Sequence, residues 1–220
     1  MKKAIQISES IELGMILALS GGFMDAYSYI QRGKVFANAQ TGNILLLGVN
    51  IAEGHYVLAM NYLFPVLAFT VGIALSEWVR IHHQKLHWRQ MAVFIEAMIL
   101  IAVAFIPLQM NLLANSLTSL ACGIQVESFR KIHGNGIATT MCIGNLRSGT
   151  ENMCLFFQTG IKSHLKKSIL YFGIIICFII GAIFGNLFIK IFNQKAILCC
   201  SLLLIIAFMM MFVDREKKSV

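Results

Sequence analysis

The sequence predicts an all-α membrane protein: six transmembrane helices arranged as two inverted three-helix repeats, each with a short half-helix or re-entrant segment. Three observations predict it. The chain has 220 residues, 58% apolar and 13% charged, about half the charged fraction of an ordinary soluble domain. The runs 56–76, 168–189 and 196–213 hold no charge at all, and each can cross a hydrocarbon core of about 30 Å, the last only just. Basic residues also fall on one side of a six-span layout, which is the usual signature of membrane topology.

The segments follow in order. The first runs from Ile11 to Gln31 and carries Asp25. It follows Lys2 and Lys3 as the core of a signal peptide would, but it is too long for one and is read as a retained span. The second covers His55 to Val79, the third Met91 to Pro107, and the fourth Asn111 to Phe129. The fifth covers Ser168 to Ile189 and the sixth Ala196 to Val213. Gly181 and Gly185 have the spacing that lets two helices approach closely. Two shorter apolar stretches remain, 41–52 and 142–157. The first is too short to span, and Arg147 and Glu151 interrupt the second. The whole chain, 1–220, is read as a single membrane domain, with repeat 1 at about 8–108 and repeat 2 at about 111–213.

With the N-terminus inside, the cytoplasmic pieces hold 14 of the 18 basic residues; Arg32, Lys34, Lys190 and Lys195 are the other four. Both termini are therefore expected in the cytoplasm. An eight-span layout would expose the basic run Arg80 to Arg89 on the outside. A shift of 102 residues aligns Asp25 with Glu127, and Thr41-Gly42-Asn43 with Ile143-Gly144-Asn145. Further along, Phe69-x-x-Gly72 resembles Phe178-x-x-Gly181. Three spans per repeat is an odd number, so the second repeat is inverted relative to the first, an architecture of secondary transporters.

Several functional classes drop out. The net charge of +8 sits in loops and helix ends, with no basic stripe interleaved with aromatics, so no nucleic-acid partner is expected. The six cysteines lie mostly in apolar stretches without a CxxC pair, and neither a disulfide nor a metal site is expected. No cofactor is implied. The chain has no HExxH, G-x-S-x-G or P-loop, and is not read as an enzyme.

The candidate site residues are polar groups in apolar surroundings. A carboxylate in hydrocarbon costs several kcal/mol, so Asp25 must face a cavity, find a partner or bind a proton. Arg32 and Lys34 are its candidate partners at the interface. The polar stretch Asn38-Ala39-Gln40-Thr41-Gly42-Asn43 then leads into a helix over 44–49. Thr41 is its expected N-cap, and the helix start would offer amide donors to an anionic or polar group. Asn38, Gln40, Thr41, Gly42 and Asn43 thus join Asp25 as substrate- or ion-binding candidates. Glu127, Gly144 and Asn145 form a weaker mirror image, since Arg130 and Lys131 share a helical face with Glu127. Glu96, alone in the third span, and His133, in a polar turn, are secondary candidates.

The combination Gly22-Phe23-Met24-Asp25-Ala26 followed by Gln40-Thr41-Gly42-Asn43 resembles the YoaK-like family of bacterial multipass membrane proteins of uncharacterised function. The likeness extends over essentially the whole chain in length and helix plan. It implies an inner-membrane location, a six-helix fold and, by a label sometimes given to the family, a small-molecule permease. The second half departs from the pattern: Cys142-Ile143-Gly144-Asn145 lacks the Gln-Thr pair. The leading expectation is a small-molecule secondary transporter with a polar site between the repeats, possible proton coupling at Asp25, and the bilayer and a small molecule or ion as partners. A homo-oligomer is compatible with this. The rival expectations are a non-transporting assembly or sensor module and a passive channel.

Overall fold

The structure is a computed structural model that describes residues 10–82, 88–132 and 134–212. His133, named above as a candidate, lies outside them, as do Lys2, Lys3, Lys85, Arg215, Lys217 and Lys218. The described chain is all-α apart from a two-residue hairpin. Its helices are α1 (Ile11–Gln31), α2 (Gln40–Ala52), α3 (Tyr56–His82), α4 (Trp88–Phe105), α5 (Asn111–Ser128), α6 (Cys142–Thr159), α7 (Lys162–Phe192) and α8 (Ile197–Met210). Short 3-10 turns, Leu108–Met110 and Asn193–Ala196, join α4 to α5 and α7 to α8. The strands β1 (Lys131–Ile132) and β2 (Asn135–Gly136) pair antiparallel between α5 and α6.

Four helical stretches among the described residues are long and apolar enough to cross a membrane: Ile11–Gln31, Tyr56–His82, Trp88–Phe105 and Lys162–Met210. The last contains both α7 and α8, broken at Asn193, whose φ of 48° turns the chain. The fourth segment read from the sequence is present as α5 but falls short in hydropathy. The reason is its polar content: Asn115, Thr118, Ser119, Gln125 and Ser128 are all buried within the bundle. The two short apolar stretches are real helices. α2 has 13 residues, or about 20 Å at 1.5 Å per residue, too short to span. α6 has 18 residues, and its C-terminus is closed by Gly160 at φ 67°, the left-handed geometry that glycine adopts without a Cβ penalty.

Helix starts and crossings follow from a few side chains. Ser10 caps α1 by accepting from the Leu13 amide at 3.2 Å. α1 lies against α7, and α3 against α5. In the first pair a Cβ on Gly22 would overlap the Phe178 carbonyl, and one on Gly181 the Leu19 carbonyl. In the second, a Cβ on Gly123 would overlap the Phe69 carbonyl, and one on Gly72 the Leu120 carbonyl. Glycine lets these backbones touch. The contact order shows both pairs running parallel: Leu19 meets Gly181 and Phe23 meets Gly185, while Gly72 meets Leu120 and Ser76 meets Ser128. α4 and α8 run antiparallel, with Gln90 donating to the Met211 carbonyl and Phe94 against Phe208.

One end of the bundle is tied by Arg32, which is 1% exposed. Its guanidinium donates to the Tyr27 hydroxyl at 3.0 Å, the Val103 carbonyl at 2.9 Å, the Pro107 carbonyl at 3.3 Å and Asn111 Oδ1 at 3.4 Å. Tyr27 in turn donates to the Gln194 carbonyl, and Gln194 Nε2 to the Ala104 and Ile106 carbonyls. The other end carries a surface ion network: Glu77 with Arg80, Arg130 with Glu127 at 2.7 Å, and Arg130 with Glu77 at 3.8 Å.

Candidate functional site

The first half of the site is a loop folded back on α1. Asp25 is buried, and its Oδ1 accepts from the Asn38 amide at 2.7 Å. The Ala37 and Ala39 amides also serve this carboxylate. Asn38 Nδ2 donates to the Gly21 carbonyl at 3.1 Å, one turn before Asp25. Residues 37–39 therefore lie across α1, held by a carboxylate that takes up backbone donors with no other partner in a helix or sheet. Arg32, a candidate partner for Asp25, spends its donors on neutral acceptors at the bundle end instead.

Gln40 and Asn43 lock the same loop. Asn43 Oδ1 accepts from the Phe36 amide at 3.0 Å, and its Nδ2 donates to the Phe36 carbonyl at 2.8 Å and to Gln40 Oε1 at 2.9 Å. Gln40 Nε2 donates to the Ala37 carbonyl at 2.7 Å and reaches Ser119 Oγ at 3.5 Å. Gly42 leaves space for the Phe36 ring. Helix α2 begins earlier than the sequence pattern suggests: Ala39 is the N-cap, without a side-chain cap bond, and Thr41 is exposed in the first turn. The amide-bearing side chains of Gln40 and Asn43 satisfy the turn, which leaves no capping role for Thr41.

The second half meets α1 from the other side. Asn145 Nδ2 donates to the Ala138 carbonyl at 2.7 Å, seven residues back, as Asn43 does to Phe36. Thr140 packs its side chain on Gly21, so the two loops converge on one turn of α1. Gln125, fully buried, ties the second loop to α1: its Nε2 donates to Thr139 Oγ1 and the Leu17 carbonyl, each at 3.1 Å, and Ser20 Oγ reaches its Oε1 at 3.3 Å. Among the described residues, Asn38 Oδ1 and Thr140 Oγ1 are buried there with no hydrogen-bond partner, as are Ser28 Oγ and Asn115 Oδ1 nearer the Arg32 end. Such atoms are rare in folded proteins and mark places where water, an ion or a ligand belongs.

Asp25, Asn38, Gln40 and Asn43 thus share one cluster, and Asn145 braces the opposing loop. Glu127 lies apart, in the ion network with Arg130, and Gly144 is exposed with open space around it. Glu96 is wholly buried in α4, and both of its oxygens lack a donor among the described residues. Sequence reasoning missed Ser20, Gln125 and Thr139, and gave Arg32 a different partner from the neutral acceptors it has. Gln125 stands two residues before Glu127 in an uncharged run, and a buried amide in an apolar helix was the available signal.

Residues 13–210 match the model of the family described as "Protein of unknown function (DUF1275)". The chain belongs to this family. It is 30% identical over 180 residues to the UPF0700 transmembrane protein YoaK of Bacillus subtilis (strain 168), an alignment covering 76% of this chain and 79% of that protein. No solved structure matches it. Within the DUF1275 family this chain is a membrane protein with several apolar helices, and its Gln-Thr-Gly-Asn element works as a loop lock built from Gln40 and Asn43.

Proposed function

We propose that this protein is a small-molecule secondary transporter of the bacterial inner membrane. It crosses six times, as two inverted repeats, with both termini in the cytoplasm. The observation that carries the reading is the convergence of two irregular loops on Gly21 in the bundle interior, where Asn38 Oδ1 and Thr140 Oγ1 are buried without a hydrogen-bond partner. Irregular backbone at membrane depth is tolerated where it is enclosed by protein or lines a wet cavity, and carriers bind substrate where their repeats meet.

The packing supports the repeats. Exchanging the two halves carries the α1–α7 crossing onto the α5–α3 crossing: Gly22 on Phe178 and Gly181 on Leu19 become Gly123 on Phe69 and Gly72 on Leu120. The helix directions fit six alternating crossings, with α1 parallel to α7, α3 parallel to α5 and α4 antiparallel to α8. α5 fits as a span because its polar residues turn inward. The same packing adjusts the uniform shift of 102. Gly22 pairs with Gly123, a shift of 101, while Asn43 pairs with Asn145, a shift of 102. Val126, rather than Glu127, then stands opposite Asp25, in keeping with the place of Glu127 in an ion network outside the cluster.

The test is a thermal-shift screen of small polar metabolites on purified protein, run beside Asp25→Asn, followed by flux measurements in vesicles. A ligand that raises the melting temperature of the wild type and fails to do so in Asp25→Asn is the expected result, with flux lost in that variant and membrane insertion retained. Wild-type flux through Asp25→Asn vesicles, or no ligand response across the panel, overturns the reading.

A further inference from the structure

We infer that the exchangeable proton of this carrier sits on Glu96, and that Asp25 is the hydrogen-bonded clasp of the loop 37–39; the inference rests on the carrier reading. The two acids differ in what surrounds them. Asp25 accepts from the Asn38 amide and has the amides of Ala37 and Ala39 beside it, so its oxygens are held by fixed donors. Glu96 is 0% exposed and neither of its oxygens has a donor among the described residues.

Glu96 also stands near the middle of its helix. Eight residues separate it from Trp88 at the start of α4, about 12 Å along the axis. An unmatched carboxylate charge at that depth costs several kcal/mol, so a cation must accompany it. The surroundings narrow the choice of cation. Glu96 lies within the field of Cys122 on α5 and Cys200 on α8, and Asp25 on α1 acts on the same Cys122. Among the described residues, no Lys, Arg or His donates to either Glu96 oxygen. Its neighbours on α4 are Val93, Ala97 and Leu100, all in the apolar core. A metal ion needs several ligands, and among the described residues no group of three or more His, Cys, Asp or Glu side chains could hold one. A proton needs only the carboxylate itself.

The step is simple to balance. A hydronium ion entering the site gives its proton to a Glu96 oxygen, its own O–H bond breaking to leave water as the carboxyl O–H forms; that bond breaks in turn when a water on the other side takes the proton. The Cys122 thiol feels both carboxylates and has Asn38 beside it. Loss or gain of the Glu96 charge would therefore be felt at the polar cluster through one shared neighbour.

The experiment is infrared difference spectroscopy of the purified full-length protein in lipid, taken between neutral and alkaline buffers, where exposed carboxylates stay ionised, on wild type, Glu96→Gln and Asp25→Asn. The expected result is a protonated-carboxyl carbonyl band in the wild type that disappears reversibly at alkaline pH, is absent in Glu96→Gln and persists in Asp25→Asn. A band that never changes with pH would make Glu96 a permanently neutral structural acid and overturn the inference. So would a band present in Glu96→Gln but lost in Asp25→Asn, no carboxyl band at any pH, or a band that responds to sodium chloride and not to choline chloride. These readings need no substrate. A titrating Glu96 in a protein that no ligand stabilises would sink the carrier reading alone, and a silent Glu96 in a protein that binds a ligand would sink this inference alone.

Discussion

Asp25 and the Gln40–Asn43 element stand out in the sequence because they are polar residues between apolar runs. The structure gives them a common role, which is to fix a loop whose backbone has no helix or sheet partner. Asn43 makes three bonds, two of them to the amide and carbonyl of Phe36. Replacing it with Ala orphans both groups in a buried turn, which costs roughly 2–3 kcal/mol. Asn43→Ala is therefore expected to lower the melting temperature of the purified protein clearly, while Thr41→Ala, at an exposed position with no capping bond, leaves it nearly unchanged. Equal losses from the two would remove the loop lock. Other roles at this scale were hidden in the sequence. Nothing local distinguishes the satisfied acid, Asp25, from the unsatisfied one, Glu96, because donors come from residues brought near by folding. Arg32 reads as a loop cation, yet its carbonyl acceptors Val103 and Pro107 lie 71 and 75 residues away.

At the scale of elements, the hydropathy pattern located every long helix to within a few residues, since a helix facing lipid needs a continuous apolar surface. Boundaries moved where side chains rather than hydropathy decide. α7 begins at Lys162 rather than Ser168, because Lys162, His164, Lys166 and Lys167 can continue the helix beyond the apolar run. The crossings were legible only in part. The sequence marks Gly181 and Gly185 as a close-packing pair, but it does not say that α1 is the partner or that Gly22 completes the contact. Gly22→Leu would force α1 and α7 apart at a backbone contact, and overpacking of this kind costs about 1–3 kcal/mol or more. Gly173→Ala, also in α7, meets nothing within 4 Å and should gain up to about 1 kcal/mol from helix propensity. Thermal unfolding of the two variants in the same detergent checks the contrast. A harmless Gly22→Leu would mean that the helices do not touch there.

For the molecule as a whole, the decisive quantity is which ends of the helices share a side of the membrane. The Arg32 cluster gathers the end of α1, the α4–α5 connection and the α7–α8 turn. The Glu77–Arg130 network gathers the ends of α3 and α5, and Gln90 with Met211 joins the start of α4 to the end of α8. In the proposed six-crossing layout the first group would lie outside and the second inside, the side that then holds most of the basic residues. The connections that follow α2 and α6 then face opposite sides, because they occupy matching places in oppositely oriented halves. Glu53, just after α2, and Ser163, in the first turn of α7, are both exposed. In a background with the exposed Cys154 replaced by serine, Glu53→Cys should react with a membrane-impermeant maleimide in intact cells. Ser163→Cys should react only once the cells are broken open. Reaction of both from one side would place α2 and α6 on the same face of the membrane, and the two loops converging on Gly21 could no longer belong to mirrored halves. A site between inverted repeats would then lose its basis even with every local hydrogen bond intact, because inversion is a property of how the halves are inserted rather than of any residue in them.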